Sequence, residues 1–295
     1  MTIERELRER AERVDVALER LLADVTDAVE PRLLESMRYS LLTGGKRIRP
    51  ILVLAAAELA GGDAGRVMPF ACAVEMVHTY SLVHDDLPAM DDDPVRRGRP
   101  SNHVVFGDGI AILAGDALLT EAFAVMSRAA GSFPAERVVA AIAELALASG
   151  AQGMIGGQTA DLLAEGAVAA LERIESIHRR KTGALLRAAI RIGAILGGAD
   201  AELLSRLTRY AERIGLAFQV ADDLLDETGR TEATGKAARR DRELGKSTYP
   251  SVLGVEEARA ALRRLLDEAM VAVDGLGERA ELLRVIARTI VSRAL

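Results

Sequence analysis

Two aspartate clusters, each sitting where an apolar helix-like stretch ends, constrain this chain more than any other feature. The first reads His84-Asp85-Asp86-Leu87-Pro88-Ala89-Met90-Asp91-Asp92-Asp93, the second Gln219-Val220-Ala221-Asp222-Asp223-Leu224-Leu225-Asp226. Neighbouring carboxylates repel one another unless they are solvated or bound to cations. Oxygen-only ligand sets suit hard cations, and magnesium takes one or two carboxylates together with substrate phosphates. Two such clusters facing each other would form a cage for a metal–diphosphate complex.

The rest of the chain must fold so as to bring these ends together. Hydrophobic residues make up 49% of the 295, yet aromatics are only 3% and Trp is absent. Ala, Leu, Arg and Glu dominate and strand-like runs are scarce, which favours an all-α protein. The length allows a substantial core. A net charge of −6 argues against a nucleic-acid partner. Cys72 is the one cysteine, so no internal disulfide is possible, as suits a reducing, cytoplasmic setting; its apolar neighbours make it a buried, inert thiol. The charged N-terminus lacks the apolar core of a signal peptide, and no transmembrane segment is expected.

Apolar residues at helical spacing from Ile3 to Val25 mark an opening amphipathic helix. A second helix, restarted by Pro31, should end near Gly44-Gly45, with Pro50 opening a third that runs to Leu59. Further helices are expected over 109–129, 135–150, 171–179, 182–197, 201–225, 255–274 and 279–293. Connections are short, so residues 1–295 read as one helical domain packed around a central cavity. The least regular stretch, 227–250, follows the second cluster closely enough to close over it as a ligand-ordered lid.

Within the second cluster, Asp222 and Asp226 are i and i+4, on one helix face about 6 Å apart along the axis. Asp85 and Asp91 would lie on different faces of an unbroken helix. Pro88 should break it and let Asp91 turn back. Basic residues cluster at element ends: Lys46, Arg47 and Arg49; Arg96, Arg97 and Arg99; Arg179, Arg180 and Lys181; then Lys236 and Lys246. Guanidinium forks and ammonium groups are the donors a diphosphate needs. No P-loop, zinc-ligand set or Ser/His/Asp arrangement stands out.

In order along the chain come Gly44-Gly45-Lys46-Arg47-Ile48-Arg49-Pro50, the first cluster through Arg96-Arg97-Gly98, and Ile112-Leu113-Ala114-Gly115-Asp116. Gln152-Gly153-Met154-Ile155-Gly156-Gly157-Gln158, Lys181-Thr182-Gly183, the second cluster and Leu244-Gly245-Lys246-Ser247-Thr248-Tyr249-Pro250 follow. This ordered set, spanning nearly the whole chain, resembles the trans-isoprenyl diphosphate synthases (the polyprenyl synthetase family), closest to its bacterial farnesyl diphosphate synthases. The resemblance implies an all-α bundle of isoprenoid-synthase type around a deep cavity, usually homodimeric. It implies that Asp85 and Asp91 hold two magnesium ions and Asp222 a third, with Asp86, Asp223 and Asp226 in support. Arg96, Lys181, Gln219, Lys236 and Lys246 would contact the allylic substrate, dimethylallyl or geranyl diphosphate, and Thr182 would help stabilise its cation. Lys46, Arg49, His78 and Arg97 would clamp isopentenyl diphosphate.

On an unbroken helix Ser81 lies one turn before Asp85, with Tyr80 beside it about 7.5 Å from Asp85 along the axis. A tail running down this helix meets both. In the family an aromatic at the position of Tyr80 often floors the cavity after fifteen carbons, so farnesyl diphosphate is the expected product and geranylgeranyl diphosphate the alternative. A terpene cyclase, a head-to-head synthase and a non-catalytic partner subunit are the competing readings. The clamp for a second diphosphate, the order of the motifs and the intact aspartates argue against each in turn.

Overall fold

The computed structural model describes residues 3–164, 166, 169–228 and 247–295. Fourteen α-helices form among the described residues, with one two-residue hairpin as the sole sheet. The all-helical fold follows from the Ala/Leu-rich composition. In helix α1 (Ile3–Ala23), Val14, Leu18 and Leu22 recur every four residues and are fully buried, while charged residues cover the other face. Helix α2 (Pro31–Leu41) starts with Pro at its first position, and the Glu30 carboxylate accepts from the N–H groups of Arg32 and Leu33.

Helix α3 (Ile48–Leu59) is buried almost throughout, from Pro50 to Ala57. Pro50 is therefore its third residue rather than its first. The first-turn N–H groups have no partner inside the helix, so Pro costs nothing there. The second helix stops at Leu41, short of Gly44 and Gly45, whose positive φ angles belong to the loop before α3. Helix α4 (Ala64–Asp85), capped by the Asp63 carboxylate, carries the first cluster at its C-terminus.

After the hairpin strands β1 (Val95–Arg96) and β2 (Arg99–Pro100) come α5 (Asn102–Phe106), α6 (Asp108–Arg128), α7 (Ala135–Ser149), α8 (Met154–Leu162) and α9 (Leu171–His178). A π-helical turn, Arg179–Gly183, joins α9 to α10 (Ala184–Gly197). Helix α11 (Ala201–Thr228) carries the second cluster; α12 (Tyr249–Leu253), α13 (Val255–Ala272) and α14 (Glu281–Ser292) close the fold. Short α5, α8 and α12 have no counterpart among the expected helices.

The largest core cluster draws on α1 to α4, α6, α7, α10, the first half of α11 and α14; the second half of α11 packs with α12 and α13 in a smaller one. Cys72 lies in the main core, its thiol pushed up to about 12 by burial. Two segments, 108–132 and 135–162, are long and apolar enough by length and composition to cross a membrane, and both are built into this bundle. They carry several of the exposed apolar side chains, among them Ile112, Leu113, Val139, Leu147 and Ile155.

Candidate active site

Both aspartate clusters open onto one cavity of about 1060 Å³. Helix α4 stops at Asp85, three residues before Pro88, and the chain folds into a turn. The N–H of Asp91 donates to the Asp85 carbonyl at 2.9 Å, and that of Asp93 to Asp86 at 3.1 Å. Asp85 and Asp91 both line the cavity as a result. The Asp86 carboxylate, 2% exposed, faces the other way and is taken up by Arg96. From behind the cavity wall it anchors Arg96, which lines the cavity, and Asp93 lies 3.8 Å from the same guanidinium.

The hairpin turn, Arg97-Gly98, has positive φ at both residues (54° and 74°), the requirement of a tight two-residue turn. It sets Arg96 and Arg97 on the cavity rim, where the Arg97 guanidinium donates to the Gly44 carbonyl. The loop carrying Lys46, just before α3 and Arg49, and the loop after the first cluster are thereby fastened together. Arg49 and His78 meet at 3.2 Å between guanidinium Nη1 and ring Nε2. Burial, then Arg49 and Arg97, hold His78 well below the ordinary histidine range, so its ring is neutral. The buried Nε of Arg49 has no hydrogen-bond partner among the described residues. An anion placed here would supply one.

Opposite, α11 presents Gln219, Asp222 and Asp226 to the cavity. Thr182 donates its hydroxyl to Gln219 Oε1. Thr182 and Lys181 reach the site because the π-helical turn inserts one extra residue per turn, a device found at functional sites. Gly157 lets that turn approach: a Cβ there would lie 2.2 Å from the Lys181 backbone nitrogen. Asp223 differs from its neighbours. Its carboxylate accepts from the Tyr249 N–H at 2.9 Å and lies 3.7 Å from His178, so it fixes the chain re-entering at α12. Lys236 and Lys246, and most of 227–250, lie outside the described residues.

Residues that sequence reasoning missed complete the walls. Asp161 holds the Lys181 ammonium at 2.6 Å, and Arg293, almost at the C-terminus, lies 3.6 Å from Asp222. The Gln158 amide is buried with neither end hydrogen-bonded among the described residues, although Gln158 lines the cavity. It stands in a quoted motif, four positions after Met154, but no local pattern marks Asp161 or Arg293.

The cavity floor runs down α4. Tyr80 is 5% exposed, lines the cavity, and packs edge-on against His84 with ring centroids 5.7 Å apart. Its buried hydroxyl has no partner among the described residues, and its pKa is pushed up to about 12, first by burial and then by Asp85. His84 seats its ring on Gly115, where a Cβ would fall 2.1 Å from Nε2, and that nitrogen lies 2.9 Å from the Ile112 carbonyl. Ser81, beside Tyr80 in the cavity lining, donates its hydroxyl to the His78 carbonyl.

The electrostatics divide the cavity. Burial raises the Asp85 carboxyl to about 6; Lys181 opposes the rise while Asp91 adds to it. A carboxylate kept from water in this way is costly to ionise, and a cation bound beside it would offset that cost. Among the described residues no three His, Cys, Asp or Glu side chains form a cation site by themselves. The donors that face the cavity are carboxylate oxygens, the chemistry of a hard cation completing its shell with water and ligand oxygens. The other end is basic: Lys46, Arg49 and Arg97 are each held below their ordinary values, first by burial. Cationic groups kept from water in this way would gain from a bound anion.

Comparison with known proteins gives the same picture. The family profile described as Polyprenyl synthetase matches residues 30–283. A farnesyl diphosphate synthase of Escherichia coli is 50% identical over 264 residues, covering 89% of this chain and 88% of the relative. A chloroplastic geranylgeranyl pyrophosphate synthase of Catharanthus roseus is 49% identical over 255 residues, 86% of this chain and 71% of the relative. The crystal structure of an FPP/GFPP synthase from Zymomonas mobilis superposes with a TM-score of 0.85 at 39% identity, covering 97% of this chain and 99% of that one. The chain belongs to the polyprenyl synthetase family. It is a prenyltransferase, a trans-prenyl diphosphate synthase.

Proposed function

We propose that the protein makes farnesyl diphosphate by joining isopentenyl diphosphate head-to-tail to dimethylallyl and then geranyl diphosphate. The observation that carries this reading is Tyr80, a buried aromatic ring five residues before Asp85 in the cavity wall. A tail growing down α4 from the aspartates meets that ring before the cavity can lengthen.

In this reading Asp85, Asp91 and Asp222 bind magnesium, three ions in all, with Asp226 in support. When bound, magnesium neutralises the charge growing on the leaving allylic diphosphate. Lys181 and Arg96 hold that diphosphate, each kept in place by a carboxylate behind it, Asp161 and Asp86. Thr182 and Gln219 turn their oxygen dipoles toward the allylic carbon that becomes cationic. Lys46, Arg49, His78 and Arg97 hold isopentenyl diphosphate so that its double bond stands at attack distance. Apolar walls keep water from the cation. No side chain is assigned as base for the final proton; the departing diphosphate takes it.

The exposed apolar side chains of α6, α7 and α8 support a homodimer, and the single buried thiol supports a cytoplasmic protein. Chromatography of the products made from isopentenyl and dimethylallyl diphosphates tests the chain length. A C15 main product is expected. A C20 main product would replace this reading with geranylgeranyl diphosphate synthesis, the name borne by the Catharanthus roseus relative.

A further inference from the structure

Arg47 stands in the middle of the basic run, between Lys46 and Arg49, yet the three behave differently. Its side chain is fully buried, and its guanidinium is spent inside the protein: Nε on Asp15 of α1 at 2.7 Å, Nη1 on Glu75 of α4 at 2.6 Å, Nη2 on the Leu41 carbonyl at 2.7 Å. It also adopts a left-handed backbone conformation, φ 48°, at the entrance to α3. A non-glycine residue holds that conformation only when its surroundings over-determine it. This bend points Lys46 and Arg49 toward the cavity.

Glu75 is 2% exposed and lies one helical turn before His78, the partner of Arg49. Its influence extends past Arg47. Burial is the main effect pulling down Arg49 and Arg97, and Glu75 is in each case the strongest charge opposing it. Arg47 itself is pulled down by burial, but Glu75 and Asp15 overcome this and leave it raised. One buried carboxylate thus compensates three guanidinium groups around one end of the cavity.

We propose that Arg47 and Glu75 are positioning residues for the isopentenyl-diphosphate clamp, a buried ion pair that sets Lys46 and the first turn of α3 with Arg49, without touching substrate. The inference rests on assigning that end of the cavity to isopentenyl diphosphate. Arg47 and Glu75 stand in the cavity wall, but the Arg47 side chain has no exposed surface. A ligand role for Arg47 would take its guanidinium from Glu75 and Asp15; breaking one side of a buried pair is strongly unfavourable.

The experiment measures KM for isopentenyl diphosphate and for the allylic primer separately, with kcat, in wild type, Glu75→Gln, Arg47→Met and the double variant Arg47→Met/Glu75→Leu. The isosteric Glu75→Gln should raise the isopentenyl KM about 10-fold while the allylic KM stays within about 2-fold. The double variant replaces the pair by apolar side chains that keep the fold, so it covers the case of a single variant that does not fold. Its isopentenyl KM should exceed that of neither single variant, because the pair acts as a unit. An unmoved isopentenyl KM in Glu75→Gln, equal rises in both KM values, or additive effects in the double variant would overturn the proposal. If wild type itself shows no condensation, the functional reading fails as well, which separates the two failures.

Discussion

The backbone N–H of Asp91 hydrogen-bonds the carbonyl oxygen of Asp85 at 2.9 Å, closing a seven-residue turn at the end of α4. Residues that an unbroken helix would send to different faces thus line one cavity. Seating Asp85 in the cavity wall has an energetic cost: burial first, with Lys181 opposing and Asp91 adding, raises its carboxyl to about 6. For an acid whose folded pKa is raised, the penalty is full above the folded value and absent below the unfolded one.

Asp85→Asn should therefore stabilise the metal-free protein at pH 8 by about 1–3 kcal/mol, a rise of a few degrees in Tm. The gain should vanish near pH 4. The same variant should lose at least about 100-fold in kcat. Thermal melts in chelator at both pH values, with steady-state rates, check this; a metal-free Tm that falls at pH 8 would count against a destabilising buried charge at Asp85.

Tyr80 separates packing from polarity. Its hydroxyl is buried without a described partner, so Tyr80→Phe should retain the product and leave stability within about 1 kcal/mol or improve it. Tyr80→Ala removes the ring and should shift products toward C20 and longer. An unchanged C15 product from Tyr80→Ala would remove Tyr80 as the floor.

Gly157 is where the backbone of α8 meets the π-helical turn. A Cβ there would strike the Lys181 backbone nitrogen at 2.2 Å, and backbone cannot swing aside like a side chain. Gly157→Ala should cost about 3 kcal/mol and lower kcat at least about 10-fold by displacing Lys181 and Thr182. Chemical denaturation together with kcat measurement decides it; wild-type values for both would contradict the close approach.

His178, stacked on Tyr249 and faced by Asp223, Glu175, Asp161 and Lys181, is lowered to about 4, chiefly by burial. A histidine held neutral in the fold binds its proton more readily when unfolded. Stability should thus be full above about pH 6.5 and fall by on the order of 3 kcal/mol as pH drops toward 4. Urea unfolding at pH 7 and pH 5 measures the slope, which His178→Gln should flatten; an equal slope in that variant would assign the loss elsewhere.

Helical periodicity, proline placement and the two acid clusters are local signals, which is why the bundle, the turn after Pro88 and the paired aspartates are legible in the sequence. The contacts that tune them are not local. Asp161 lies 20 residues from Lys181, and Glu75 lies 28 from Arg47. Only packing reveals that the Arg47 guanidinium is taken up by Asp15, Glu75 and the Leu41 carbonyl, or that Asp86 serves Arg96 and Asp223 serves Tyr249. The π-helical turn has no spacing signature either; it exists because Gly157 leaves room for it.

The central claim is a site for two diphosphates, one on the aspartates and one on the basic clamp. The most direct measurement is release of inorganic diphosphate by purified protein with magnesium, given dimethylallyl diphosphate alone, isopentenyl diphosphate alone, or both. The account predicts release only with both substrates, abolished by chelator and matched by prenyl product. Release from the allylic substrate alone at the same rate, or none with any allylic primer, would contradict it.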